Sequence, residues 1–494
     1  MSWETDWLES RSRLTPEHTA VIDGETGEQW SYGQLNQRAC HLAAYLRSLG
    51  IVKGDRIAYL SPNHISTFDF LFACMKLGAI FVPLNWRLSV HELNYMLHDC
   101  TPKLLTYHGS LEALASELTV PFRLPVDKSD DGHLPRLDHH FFSENVEEKD
   151  PLAIIYTGGT TGKPKGVLLS HRAISWNSIN TILSWDLSAK DVTLTLLPMF
   201  HTGGLNALSI PILHMGGTVV LARGFDPVKT IRMINQYQCT IVLMVPTMYH
   251  MLIQTKEFEE SGFPSMHTFL SGGAPCQHTI YQAFEAKGLA FKEGYGLTEA
   301  GPNNFFIDPS ESRKKRGSVG KTMMYNRVKL VDSSGAEVKP GEVGEIMIQG
   351  PHVFSGYWNN PEATNETIID GWLYTGDLGK RDEDGYFYIV GRKKDMIITG
   401  GENVYPLEVE HLLSQHPAVD EVAVVGLPDE KWGEVVTAVL VLKKGASLTA
   451  DQLKEYCSGQ LGKYKVPKKF IILKELPKTP VGKIDKKEIM RSLR

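Results

Sequence analysis

Apolar positions along the first part of the chain alternate between two rhythms. Leu35, Ala39, Leu42, Leu46 and Leu49 recur at helical spacing, and Gly50 stands where such a helix would close. Residues 57–60 form an apolar run of strand length, ended by Pro62 and Asn63. Phe68, Leu71 and Leu77 return to the helical interval, and residues 79–82 predict the next strand. The same order recurs later, with strands near 218–222, 240–245 and 268–270 separated by helical stretches. Strands alternating with helices predict parallel, doubly wound sheets, whose ligands lie beyond the carboxyl ends of the strands. Three loops are expected to leave strands in this way: residues 157–165, Pro246-Thr247-Met248, and Ser271-Gly272-Gly273-Ala274-Pro275.

From about residue 320 to 388 the texture shortens. Runs at 328–331, 344–349 and 385–389 alternate with Gly and Asp-Gly turns, which predicts a small antiparallel barrel or sheet. A basic run, Gly391-Arg392-Lys393-Lys394-Asp395, precedes a new α+β pattern from Pro406. The fold class read from the pattern is α/β. Residues 1–393 form a large domain of two doubly wound sheets with a β-barrel-like subdomain, and residues 394–494 form a smaller α+β domain.

Composition narrows the classes. At 494 residues the chain exceeds one hydrophobic core, and 42% hydrophobic with 22% charged residues is ordinary for a globular protein. A formal net charge of -6 gives no general affinity for nucleic acid or anionic membrane. The six Cys are scattered without a C-x-x-C pair, which indicates neither a disulfide framework nor a zinc site. The acidic start carries no signal peptide, no apolar run nears the ~18 residues of a membrane span, and Ser492-Leu493-Arg494 is no peroxisomal address. A cytoplasmic enzyme, monomer or homodimer, is the expectation.

Candidate chemistry begins at Tyr156-Thr157-Gly158-Gly159-Thr160-Thr161-Gly162-Lys163-Pro164-Lys165-Gly166, between two apolar runs. Glycines let backbone N–H groups turn inward as an anion-binding nest, and the threonines and lysines add donors and charge. The Walker A spacing fails: the run from Gly158 to Gly162 is one residue short, Pro164 follows Lys163, and the loop joins two strands. Taken alone, the segment fits a nest and a Gly-rich hairpin turn equally well.

Further clusters follow. Glu293-Gly294-Tyr295-Gly296-Leu297-Thr298-Glu299 combines glycines for close backbone approach, a ring for stacking, and oxygens suited to Mg²⁺ beside phosphates. Tyr374-Thr375-Gly376-Asp377-Leu378-Gly379 puts an Asp in a tight Gly turn, either as an Asx turn or as an acceptor for two ribose hydroxyls. Arg392 and Lys394 lie in the basic run, Gly400 and Gly401 in Thr399-Gly400-Gly401-Glu402, and Lys483 in a basic C-terminal region.

In this order the clusters resemble the acyl-CoA synthetase branch of the adenylate-forming (AMP-binding) ligases, from Trp30-Ser31-Tyr32 to Lys483. The resemblance implies an ATP-, Mg²⁺- and coenzyme A-dependent ligase. It would first form an acyl-adenylate from a small carboxylic acid, then a thioester. Carried onto this chain, Thr157, Gly158, Gly159, Thr160, Thr161, Gly162 and Lys165 would hold phosphates. Gly272, Gly273, Ala274 and Pro275 would line the adenine site, with Tyr295 stacking on the base and Gly296 also at the cofactor. Thr298 would touch phosphate, Glu299 would bind Mg²⁺, and Asp377 with Arg392 would grip the ribose. Lys483 would bridge carboxylate and α-phosphate. His201 would border the carboxylate in Phe200-His201-Thr202-Gly203-Gly204, unless it is a loop histidine satisfied by the backbone. The smaller domain would be mobile about Lys394, bringing Gly400 and Gly401 to a pantetheine tunnel. One departure is Gly158, where the family commonly has Ser. Gly203 and Gly204 suggest room for a bulky or long acyl group, so a medium- or long-chain fatty acid is expected. An aryl acid such as o-succinylbenzoate is the alternative, as is a non-catalytic ligase-derived binding protein.

Overall fold

The computed structural model describes residues 5–126, 145–158, 163–479 and 483–493. Two seven-stranded sheets form the larger part. In one, strands Ile80–Pro83, Arg56–Leu60 and Leu104–Tyr107 run parallel, and Pro151–Gly158 joins Ile80–Pro83 before pairing antiparallel with Pro164–Ser170. In the other, Phe291–Glu293, Thr268–Ser271, Ile241–Met244, Val192–Thr195 and Thr218–Leu221 are parallel neighbours in that order. One buried cluster runs between the sheets, taking Ile57 and Ile155 from the first and Val219 and Leu270 from the second. Helix His171–Trp185 starts after the hairpin because the Ser170 hydroxyl accepts from the Ala173 N–H, an N-cap.

A third sheet is antiparallel, built from Phe305–Phe306, Ser318–Thr322, Arg327–Val331, Val343–Gln349, Trp372–Arg381 and Phe387–Arg392. Beyond it, strands from Ile397–Thr399 to Lys469–Leu473 make a five-stranded sheet packed by helices Pro406–Ser414 and Ala450–Ser458. Its Asp420 reaches the larger part: its carbonyl accepts from Gln277 Nε2 at 3.2 Å, and its carboxylate lies 3.3 Å from His250 Nε2.

Three local expectations need correcting. Leu49 is 51% exposed, because helix Tyr32–Ser48 ends just before it. Pro246-Thr247-Met248 is the first turn of helix Pro246–Ile253, with Pro at a position that needs no N–H. Asp377 sits inside the ten-residue strand Trp372–Arg381, where a bulge between Leu378 and Gly379 absorbs the irregularity expected as a turn. Among the described residues no helix is long and apolar enough to cross a membrane.

Candidate active site

Thr157 and Lys165 face each other across the hairpin, with Gly158 exposed at its end. Nothing lies within 4 Å of a Cβ built on Gly158, so a serine would fit there. Gly159, Thr160, Thr161 and Gly162 lie outside the described residues.

Two-residue strand Gly356–Tyr357 pairs with the outgoing arm of the hairpin, Tyr357 opposite Val167. Its ring lies 4.9 Å from Lys165 Nζ, and its hydroxyl donates to Glu299 Oε1 at 2.9 Å. Tyr357 therefore links Lys165 of the hairpin to the expected metal carboxylate. No short sequence pattern had singled it out. Thr298 is buried in the same short turn, Thr298–Ala300. Burial raises the Glu299 carboxyl, opposed by the Tyr357 hydrogen bond, so a buried negative charge there gains from a cation. Among the described residues no group of three His, Cys, Asp or Glu side chains could hold a metal by itself.

The second half of the site forms around Asp377, which pairs in register with Arg392. Tyr295 Oη donates to Asp377 Oδ2 at 2.7 Å, and Arg392 Nε lies 3.3 Å from Oδ1. Burial raises the Asp377 carboxyl, while Arg392 is the strongest influence in the other direction. Lys483 arrives from the C-terminal part, its backbone anchored by reciprocal contacts with Thr479. Its Cε lies 3.2 Å from where a Cβ on Gly273 would sit. Burial, then Arg392, lowers the Lys483 ammonium from its ordinary value, with Asp377 opposing. Gly273 and Ala274 are exposed at this mouth, and Gly272 and Pro275 are half-buried.

His201 has the backbone partner that its loop reading expected. Its Nδ1 accepts from the Gly203 N–H at 3.2 Å, capping helix Thr202–Leu205. Burial, with the Lys483 charge, lowers it to about 4, so the ring is neutral with its proton on Nε2.

The volume expected at Gly204 is taken by backbone: a Cβ there would collide with the Pro198 carbonyl, as one on Gly296 would with that of Pro302. The space lined by Leu197, Gly203, Leu208 and Leu243 is only about 10 Å³. Gly400 and Gly401 form the tip between strands Ile397–Thr399 and Glu402–Val404, both with positive φ, and Gly400 lies under the Trp432 ring. Trp432 is thus the neighbour of Gly400, while the space around Gly401 is open. Lys394 is exposed in the turn Lys393–Asp395, beside Arg392, and Lys393 Nζ is held by Glu345 at 2.8 Å.

Glu293, just before this site, is buried and accepts from Tyr281 Oη and the Cys276 N–H. Burial pushes it up to about 7 from 4.5. Between those values the folded protein binds the proton the unfolded chain has lost, so stability falls as pH rises, by about 3 kcal/mol in all. Glu293→Gln should therefore raise the melting temperature by several degrees at pH 8 and leave it almost unchanged at pH 4.5, measured by scanning calorimetry.

A model described as "AMP-binding enzyme" matches residues 8–358, and one described as "AMP-binding enzyme C-terminal domain" matches residues 408–483. A feruloyl-CoA synthase of Amycolatopsis is 40% identical, covering 98% of both chains. An indoleacetate–CoA ligase of Aromatoleum aromaticum is 38% identical over 98% of this chain and 97% of its own. A long-chain-fatty-acid–CoA ligase of Mycobacterium tuberculosis is 35% identical over 97% and 96%. Among solved structures, the o-succinylbenzoate CoA synthetase of Bacillus subtilis with its acyl-adenylate superposes with a TM-score of 0.89 at 33% identity, covering 99% of this chain and 98% of that one.

Proposed function

The chain belongs to the AMP-binding enzyme family as an AMP-forming acid–thiol ligase, and from that premise we propose that it joins an aryl-bearing carboxylic acid to coenzyme A. The observation that carries the chemistry is Lys483, delivered from the C-terminal part to Gly273 beside Asp377, Arg392 and a neutral His201. The aryl class rests on the relatives, since those at 40% and 38% identity are named for aryl acids and the fatty-acid ligase stands at 35%. The packed Gly204 also removes the argument for a long alkyl chain. The cytoplasm is the proposed setting, in keeping with six free cysteines.

The first step brings a carboxylate to the α-phosphorus of ATP. The P–O bond to pyrophosphate breaks as the acyl–phosphate bond forms. Because both partners are anions, the barrier is electrostatic, and preorganised cations lower it. Lys483 supplies one such charge and the hairpin Lys165 another. Mg²⁺ fits at Glu299, whose half-buried carboxylate accepts from Tyr357 at Oε1, and would offset phosphate charge there, completed by phosphate oxygens and water. Asp377 would take the ribose hydroxyls by releasing Arg392, the partner whose side chain is 56% exposed. His201, with its proton on Nε2, has a neutral donor to offer a carboxylate oxygen.

Tyr357→Phe removes the hydroxyl that orients Glu299 but keeps the ring under Lys165. A tenfold fall in adenylation is expected, with a raised Mg²⁺ requirement, about the worth of one charge-assisted hydrogen bond. Magnesium titration of pyrophosphate release checks this. The class itself is tested by pyrophosphate release across acetate, octanoate, palmitate, benzoate and o-succinylbenzoate, with and without coenzyme A. Release with alkanoates alone would overturn the aryl reading.

A further inference from the structure

Lys292 stands out because a cation is buried without an oxygen partner. It is 3% exposed and lies between two rings, Trp185 at 4.4 Å and Phe306 at 4.7 Å from Nζ. No carboxylate pairs with it among the described residues. Asp308 is felt only as a nearby charge, and its Oδ1 already accepts from Ser310 N and Oγ. Trp185 Nε1, in the same wall, is a buried donor with no acceptor. Two donors and no acceptor within one buried group is a costly arrangement unless a ligand completes it.

The sheet register connects this group to the proposed acyl position. Leu243, Leu270 and Lys292 are lateral partners on three adjacent parallel strands, so their side chains share one face. Leu243 lines the small space with Leu197 and Gly203, beside His201, and lies under Gly272, while Leu270 lies under Gly294. The row therefore starts beneath the adenylation site and ends at Lys292, two strand spacings or about 10 Å away. A cavity of about 270 Å³, lined by Ser184, Phe306, Asp308, Met323, Met324 and Tyr386 among others, shares the Phe306 ring with Lys292.

We infer that Lys292, with the Trp185 indole N–H, is a specificity determinant that donates to an oxygen at the far end of the acid, a phenolic oxygen or a second carboxylate. This rests on the aryl-acid reading above. An acid lying along the row, its reacting carboxylate at Lys483 and its ring over Leu243 and Leu270, brings a para substituent to Lys292. The distance suits a phenylpropenoic acid. Burial lowers the Lys292 ammonium to about 7, and an acceptor against it restores the charged form.

The test compares kcat/KM for pyrophosphate release with cinnamate, 4-hydroxycinnamate, 4-carboxycinnamate and palmitate, in the wild type and in Lys292→Met and Trp185→Phe. Methionine fills the aromatic slot without a buried charge, and phenylalanine keeps a ring while losing only the N–H, so at least one variant should fold, as melting curves will tell. The wild type should favour the acids with a distal oxygen. Lys292→Met should lower kcat/KM for those acids by about 10- to 100-fold, mainly through KM, and leave cinnamate within about twofold. Trp185→Phe should shift the same acids in the same direction, by less. The acid losing more identifies the distal group as phenolic or carboxylate. An unchanged ratio, or an equal loss on cinnamate, overturns the role of Lys292 while leaving the ligase reading intact. A wild type active on palmitate and on none of the aryl acids overturns the aryl reading and this inference with it.

Discussion

Lys483→Ala is expected to lower acyl-adenylate formation by ~10²–10³ or more, while thioester formation from supplied acyl-adenylate is largely spared. The asymmetry follows from where the charge is needed. Lys483 is brought against Gly273, near Asp377 and Arg392, at the mouth where carboxylate and phosphate must meet. An ammonium there stabilises two converging anions; in the second step a thiol displaces AMP, and no second anion is driven onto the phosphate. Burial and Arg392 also lower the Lys483 ammonium below its ordinary 10.5. Since the protonated form is the active one, adenylation should decline on the alkaline side at a pH below that value, and the decline should vanish in the alanine variant. Pyrophosphate release and thioester formation, assayed separately against pH, check both statements. Equal loss in the two half-reactions would remove Lys483 from its proposed role.

The fold was legible wherever periodicity is set by burial. Leu35, Ala39, Leu42 and Leu46 are all buried on one side of their helix, and the parallel strands fall within a residue or so of the apolar runs. The misses share a cause, since a local signal had two structural uses. Pro246 marks a break, yet it is also a good first residue of a helix. Gly376 and Asp377 suggest a turn, yet a bulged strand accepts them. Helix Ser66–Leu77 is buried along its entire length, including Lys76, whose ammonium meets Asp6 at 2.7 Å. No amphipathic stripe could have revealed that.

The candidate site divides along a similar line. Tyr295, Thr298, Glu299, Asp377, Arg392 and Lys483 stand out in the sequence because each lies in a short, chemically distinctive segment, and Tyr295, Asp377, Arg392 and Lys483 do come together. Tyr357 and Lys292 were missed, because what sets them apart is a contact with residues far away in the chain: Tyr357 with Lys165 and Glu299, Lys292 with Trp185. The volume read into Gly204 failed for a related reason. A glycine in sequence marks a missing side chain without saying whether backbone or ligand takes the space, and at Gly204 it is the Pro198 carbonyl.

Lys394→Pro should leave adenylation nearly intact and reduce thioester formation at least tenfold. The orientation adopted here already has Lys483 at the nucleotide mouth, and Lys394 lies in a one-turn 3-10 helix, Lys393–Asp395. Proline is tolerated at the start of a helical turn, because its φ is fixed near the helical value and its missing N–H is not needed there. The missing N–H therefore costs this orientation little. For a thiol to reach the carbonyl that Lys483 covers, that side chain must withdraw. We place the pivot at Lys394, between Arg392 on the nucleotide side and the sheet that begins at Ile397. A hinge residue absorbs a large change in φ or ψ, and proline forbids the change in φ. Its ring also pushes Lys393 toward extended backbone, so part of the effect comes through the Lys393–Glu345 ion pair. Lys393→Ala, which removes that pair without stiffening the chain, separates the two contributions. If Lys394→Pro slows both half-reactions equally, or if Lys393→Ala reproduces its whole effect, the pivot lies elsewhere.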